Sequence, residues 1–108
     1  MTGPAMVVLA GVVLAQAGPP GALAALYGRT LGAAAECKGI TRERLEQAAH
    51  KASAHLKALA PSEAAQSAAA TDLANGIERG TRDVSSGAVT CAQAESEFGN
   101  LEHDLAGR

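Results

Sequence analysis

The chain has 108 residues, a length that fits a single domain. Alanine supplies 26 of them, while Tyr27 and Phe98 are the only aromatic residues, so the core has few large side chains. The net charge is −2, with bases concentrated in residues 29–57 and acids in residues 63–108. Because the sequence has no basic surface with interleaved aromatic residues, we do not expect nucleic acid as a partner.

The first 17 residues are typical of an export signal. Residues 5–15 are apolar and uncharged, and Ala15-Gln16-Ala17 fits the small-x-small cleavage rule. The apolar run is shorter than the about 20 residues that span a bilayer. The absence of Lys and Arg before it leaves a buried N-terminal helix as the alternative. We predict a signal peptide at 1–17, one mature helical domain at 18–108, and a periplasmic or secreted location.

Two helices are predicted in the first half of the mature chain. The first helix has apolar residues at spacings of three and four, and Lys38 with Gly39 forms a typical C-terminal stop. Thr41 is a suitable N-cap for the second helix, which Pro61 ends. The first predicted core stripe is Leu23, Leu26, Tyr27, Leu31, Ala34 and Cys37, and the second is Leu45, Ala49, Ala52, Leu56 and Leu59.

The second half predicts two more helices. Ser62 begins the third, and Asn75-Gly76 leaves open whether this segment is one bent helix or two short ones. Thr90 and Gln93 form a capping box at the start of the last helix. The predicted core stripes are Ala65, Ala69, Leu73, Ile77, Gly80 and Val84 in the third helix and Cys91, Ala94, Phe98, Leu101 and Leu105 in the last.

Without an alternating strand pattern, these helices predict an all-α fold, a small bundle of four helices or of three. Cys37 and Cys91 are the only cysteines, and an even number in an exported protein favours one intramolecular disulfide. This bond would join two helix ends at one pole of an antiparallel bundle. The glycine pairs at Gly28/Gly32 and Gly76/Gly80 would let a partner helix approach closely.

The last helix carries the candidate metal ligands. Its carboxylates and one amide are oxygen donors of the kind that calcium and lanthanide ions prefer. One helix supplies too few donors, so a complete shell would need a neighbouring helix or a second copy across a two-fold axis. The alternative is that these acids only keep the helix soluble. The candidates are Glu95, Glu97, Asn100, Glu102 and Asp104.

Catalytic chemistry is not indicated by the sequence. A nucleophilic cysteine needs a free thiolate near a base, and both cysteines are better explained by their mutual bond. His50, His55 and His103 do not have the spacing of a zinc site. We therefore predict no enzyme activity, no catalytic residue and no cofactor beyond the calcium or lanthanide ion of the metal hypothesis.

The combined features favour an exported helical protein that binds a protein partner or a second copy of itself. Acid-stress chaperones of enteric bacteria, which are small, exported, helical and linked by one disulfide, resemble this chain in size and cysteine count, although no motif is shared. A chaperone-like role is therefore one form of the prediction. The alternative is a periplasmic protein that binds a hard cation, with the metal bridging a homodimer. After signal cleavage we expect no membrane association, because the basic second helix has few large apolar residues.

Overall fold

The computed structural model describes residues 19–107, which form four α-helices and contain no strand. The predicted all-α class and the four-helix count are confirmed. The predicted signal peptide lies outside the described residues. The helices are α1 Pro19–Ala35, α2 Arg42–Leu59, α3 Glu63–Ser85 and α4 Cys91–Ala106.

Polar side chains begin three of these helices at the predicted residues. Thr41 and Ser62 each accept a hydrogen bond from the backbone N–H three residues later, at 3.1 Å in both cases. Thr90 and Gln93 form the complete reciprocal capping box. Each such cap satisfies N–H groups that have no partner within the helix, and replacing one by alanine typically costs about 1 kcal/mol.

The sequence did not give the extent of two helices correctly or completely. The third segment is one continuous helix of 23 residues, and Asn75-Gly76 does not interrupt it. The first helix ends at Ala35, before the Lys38-Gly39 stop predicted from the sequence. The N–H of Cys37 still donates to a carbonyl of the last turn, at 3.0 Å, so the chain leaves α1 through a tight turn.

The closest helix contact is between α1 and α3, where four glycines let the two backbones approach each other. Gly76 lies beside Gly28, and Gly80 lies beside Ala33, so the two helices run parallel. A Cβ atom placed on Gly76 would stand 2.5 Å from the carbonyl oxygen of Ala25, which is shorter than van der Waals contact. We call this contact, formed by Gly28, Gly32, Gly76 and Gly80, the glycine seam.

The seam shows that the close partner predicted for both glycine pairs belongs to the same chain. Each pair accommodates the backbone of the other helix, so neither is open to a second protein. Polar groups extend the contact at its edges. Thr81 donates to the carbonyl of Gly32 at 3.4 Å, and Arg29 forms an ion pair with Asp83 at 3.1 Å.

Most of the core lies around Phe98, whose side chain is completely buried. Alanines from α1, α2 and α3 and leucines from α1, α2 and α4 belong to the same cluster. Alanine side chains remove little apolar area from water, so this core contributes less stabilisation per residue than a leucine-rich one. The principal cluster is Ala24, Tyr27, Leu31, Ala34, Ala48, Ala52, Leu56, Ala69, Phe98, Leu101 and Leu105.

Three residues of the predicted core stripes are on the surface instead. Leu26 is 59% exposed, Leu59 41% and Ile77 38%. Leu59 of α2 and Ile77 of α3 belong to helices that make few contacts with each other, and Leu26 of α1 is left uncovered by α4. Helix periodicity gives the direction of an apolar face but does not say how much of that face a neighbour covers.

A disulfide joins Cys37 to Cys91 with a Cα–Cα distance of 5.6 Å, which confirms the predicted bond. It links the turn after α1 to the first residue of α4. Within the described range, no helix is both long and apolar enough to cross a membrane.

Candidate binding grooves and ligand groups

A groove of about 330 Å³ lies between α1 and α4. We call it the α1–α4 groove. Apolar side chains, mostly from α1, form its floor, and the exposed surface of Leu26 belongs to it. The polar side of the groove comes mainly from α4, where two carboxylates and one amide face a lining that contains no Lys, Arg or His. The lining residues are Leu23, Leu26, Tyr27, Thr30, Glu97, Asn100, Leu101 and Asp104.

Helix geometry explains why these polar residues share one side of α4. Glu97, Asn100 and Asp104 stand at positions i, i+3 and i+7, which lie on one face of an α-helix. The separation of seven positions between the two carboxylates corresponds to about 10 Å along the helix axis. Leu101, on the neighbouring stripe, is buried against the core and completes the apolar floor.

The structure distributes the five predicted metal ligands over three places. Glu97, Asn100 and Asp104 line the α1–α4 groove. Glu102 is in an ion pair on the side of α4 that faces α2, and Glu95 lies next to the disulfide. A single ion therefore contacts at most the three residues of the groove, so a complete hard-cation shell still needs donors from outside this helix.

The Glu102 carboxylate is engaged by Arg44 from the first turn of α2. Arg44 donates two hydrogen bonds to it, at 2.6 and 3.0 Å, in a bidentate arrangement. The Arg44 guanidinium also lies over the ring of Phe98, 5.3 Å from its centroid. The hydrogen bond lowers the pKa of Glu102 from its ordinary value and raises the pKa of Arg44. This pair therefore acts as a connection between α2 and α4.

Glu95 lies at the other end of α4, where the two sulfurs of the disulfide are its neighbours. One of its carboxylate oxygens and the sulfurs of Cys37 and Cys91 are within 4.8 Å of one another. The carboxylate rests on Gly39, because a Cβ atom there would lie 2.6 Å from the Glu95 carboxyl carbon. From the sequence, Glu95 is a candidate metal ligand and the two cysteines form a disulfide, and the structure brings these three residues together.

A second groove, of about 300 Å³, lies between α2 and α3, where those helices make few contacts. Its lining is mainly apolar, with one base and no acid, so its charge is opposite to that of the α1–α4 groove. The lining residues are Ser53, Leu56, Lys57, Gln66, Ala69, Ala70 and Leu73.

No family model matches the chain, and neither a curated protein nor a solved structure matches it. The chemistry of the described surfaces therefore carries the functional argument. Among the histidines, His55 is in ring contact with Tyr27, with centroids 6.4 Å apart. Within residues 19–107, the one grouping of three His, Cys, Asp or Glu ligand atoms is that of Cys37, Cys91 and Glu95.

Neither groove was predicted from the sequence. The signal for the α1–α4 groove is present in the sequence, because Leu23, Leu26 and Tyr27 follow helical spacing and Glu97 and Asp104 share a face. The pattern does not reveal that α1 and α4 leave Leu26 uncovered.

Proposed function

We propose that the mature chain is an exported, non-enzymatic binding protein that accepts a basic amphipathic helix of another protein in its α1–α4 groove. The observation that carries the proposal is the composition of this groove, an apolar floor beside carboxylates without a neighbouring base. A ligand with apolar residues on one face and Lys or Arg beside them complements both parts.

Spacing makes the proposed ligand more specific. Glu97 and Asp104 are about 10 Å apart along their helix, so bases at i and i+7 of a docked helix match them. An apolar residue on the side of the ligand helix that faces α1 would cover the exposed part of Leu26. The apolar contact supplies most of the affinity, while the carboxylates select a basic ligand and accelerate its association.

Export is part of the same proposal. The Cys37–Cys91 disulfide is of the kind that persists in oxidising compartments, and the sequence predicts a signal peptide before it. A periplasmic or secreted protein encounters basic amphipathic segments in unfolded or partly folded neighbours. A chaperone-like activity would follow if the groove accepts many such segments.

The test is fluorescence anisotropy of a labelled amphipathic peptide, Leu on one face and Lys at i and i+7, titrated with the oxidised mature protein. Leu26→Ser removes apolar contact worth about 1–2 kcal/mol, which weakens binding roughly five- to thirtyfold. Leu59→Ser is the matched control, because Leu59 is also exposed but lines neither groove. Equal effects of the two variants would refute the proposed location.

Charge is tested separately. The double variant Glu97→Gln/Asp104→Asn should weaken binding at low salt and reduce its salt dependence, since exposed charges are screened at high ionic strength. Glu78→Gln, an exposed acid on α3, is the control. A peptide with Glu in place of each Lys should not bind. If it binds as well as the basic peptide, recognition does not depend on the carboxylates.

The second candidate function is hard-cation binding, which the shared face of Glu97, Asn100 and Asp104 favours. These residues supply oxygen donors for part of a calcium or lanthanide shell, and a second copy related by a two-fold axis would supply the remainder. Thermal unfolding with chelator and then with calcium or lanthanum tests it. A rise in melting temperature that Glu97→Gln abolishes and Glu102→Gln preserves would place the ion in the groove. Superimposable curves would exclude those ions.

A further inference from the structure

Three ligand atoms meet at the end of the bundle where α1 finishes and α4 begins. The sulfurs of Cys37 and Cys91 and a carboxylate oxygen of Glu95 lie within 4.8 Å of one another. In the oxidised protein the sulfurs are bonded to each other. Reduction would turn the same three groups into two thiols and a carboxylate at one point.

The fold positions these groups by means other than the disulfide. Cys91 and Glu95 are four residues apart on α4, so they share a face of the helix. Two backbone hydrogen bonds hold Cys37 in its turn. The N–H of Cys37 donates to the carbonyl of Ala34 at 3.0 Å, and the carbonyl of Cys37 accepts from the N–H of Ile40 at 3.3 Å. Apolar residues of α1, α3, α4 and the loop before α4 pack in the same cluster as Cys37. They are Ala33, Val84, Val89 and Ala94.

Gly39 leaves room for the Glu95 side chain beside the sulfurs. The Glu95 carboxyl group occupies the space that a Cβ atom at Gly39 would need, with one oxygen 2.8 Å from that position. Any other residue at Gly39 would displace the carboxylate. The carboxyl group of Glu95 is therefore packed against the Gly39 backbone, next to the two sulfurs.

We propose that the reduced protein binds a thiophilic divalent cation, with zinc as the natural case, through Cys37, Cys91 and Glu95. In tetrahedral zinc sites with Zn–S bonds of about 2.3 Å, two thiolate ligands lie about 3.8 Å apart. The 5.6 Å Cα separation of the cysteines is compatible with that spacing. Three protein ligands leave the fourth position for water, as in sites that exchange their metal or bind a further ligand.

The redox and proton balance of the proposal is simple. A dithiol reductant transfers two electrons and two protons to the disulfide, which becomes two thiols while the reductant becomes a disulfide. On metal binding, each thiol loses its proton and the carboxylate remains ionised, so one ion displaces two protons. The first turn of α4, where Cys91 lies, favours the negative charge that a thiolate brings.

The site is independent of the α1–α4 groove, so the experiment uses the mature chain without peptide. The protein is reduced with a water-soluble phosphine and titrated with Cd²⁺, and then with Zn²⁺ in competition with a chromophoric chelator. We expect thiolate-to-cadmium absorption that saturates at one ion per chain. The oxidised protein should give none.

Glu95→Gln is the decisive variant. Losing even an outer-shell partner weakens metal binding about 10- to 100-fold, so losing this ligand should cost at least about tenfold. Glu78→Gln, on α3, should bind Cd²⁺ like the reduced wild type. Equal affinity of Glu95→Gln and wild type would overturn the assignment of the carboxylate. Absence of a one-to-one end point would overturn the site.

Circular dichroism covers the case in which a reduced chain unfolds. Zn²⁺ should raise the melting temperature of the reduced wild type, or restore its helical signal if the signal is lost on reduction, because metal affinity then contributes to folding. Zn²⁺ should raise the melting temperature of reduced Glu95→Gln by less, and it should not raise that of Cys91→Ser. A gain of the same size in Cys91→Ser would show that the ion binds elsewhere and would reject the proposal.

Discussion

The glycine seam makes a prediction that two chemically identical substitutions should have opposite effects. Gly32 and Gly99 both lie inside helices, so replacing either with alanine gains about 1 kcal/mol of helix propensity. A Cβ atom at Gly99 meets no atom within 4 Å, whereas one at Gly32 would overlap the backbone of Ile77. The comparison isolates the seam from the intrinsic preference of the residue.

The expected size follows from what the added methyl meets. A Cβ atom at Gly32 would lie closest to the carbonyl oxygen of Ile77, with the carbonyl carbon at 2.8 Å and Cα at 2.9 Å. These are backbone atoms, which cannot rotate away as a side chain can. Helices α1 and α3 must separate instead. Overpacking of a filled core costs about 1–3 kcal/mol, and the rigid neighbour places this case at the upper end. After the propensity gain, Gly32→Ala should destabilise the fold by about 2 kcal/mol.

The measurement is thermal and urea unfolding of both variants, followed by circular dichroism. In a domain of this size 1 kcal/mol shifts the melting temperature by about 4–8 °C. Gly32→Ala should therefore melt roughly 10 °C below wild type, and Gly99→Ala a few degrees above it. If Gly32→Ala is as stable as Gly99→Ala, the parallel backbone contact between α1 and α3 does not exist.

Three further predictions concern the remaining connections. Replacing both Cys37 and Cys91 by serine opens a loop of sequence separation 54, and the chain-entropy model gives its closure a value of about 4 kcal/mol. Urea unfolding should therefore show a large loss of stability, and adding a reductant to the wild type should produce the same loss. Phe98→Ala removes the one large, completely buried side chain of the described core and should cost about 3–5 kcal/mol in the same assay, whereas a loss below 1 kcal/mol would contradict its central position. The Arg44–Glu102 pair predicts a pH dependence: because the pKa of Glu102 is lowered in the folded state, its contribution is present above the ordinary glutamate pKa of about 4.3 and is lost as pH falls through the lowered value. The stability difference between wild type and Glu102→Gln, measured by urea unfolding from pH 7 to pH 3, should therefore narrow toward acid, and a constant difference would show that the ion pair does not contribute.

Local signals were sufficient to predict where three of the four helices begin, whereas α1 begins at Pro19, within the Gly-Pro segment that the sequence suggests as a lead-in. Thr41, Ser62 and the Thr90–Gln93 box are short-range patterns whose hydrogen bonds close within three residues, so they do not depend on the rest of the chain. The disulfide was predictable for a different reason, because two cysteines in a chain allow one intramolecular pairing.

Features that depend on which helices meet could not be predicted. The glycine pairs in α1 and α3 indicate that another helix approaches each of them closely, but the spacing does not identify that helix. In the structure, α1 and α3 are each other's partner. The acids of α4 share one short segment of sequence, yet Glu102 faces Arg44 of α2 and Glu95 faces Gly39. Their surroundings come from residues about 60 positions away in sequence, which no local pattern contains.

Binding and stability involve different parts of this alanine-rich bundle. Glycine seats α3 directly on the backbone of α1, while Leu26 of α1 remains exposed in the α1–α4 groove. The second groove lies between α2 and α3, which make few contacts with each other. Stability therefore depends on the seam, the Phe98 cluster and the disulfide, while binding depends on side chains outside them. Leu26→Ser should consequently leave the melting temperature almost unchanged while it weakens the peptide, and this separation distinguishes a binding surface from an incompletely packed core.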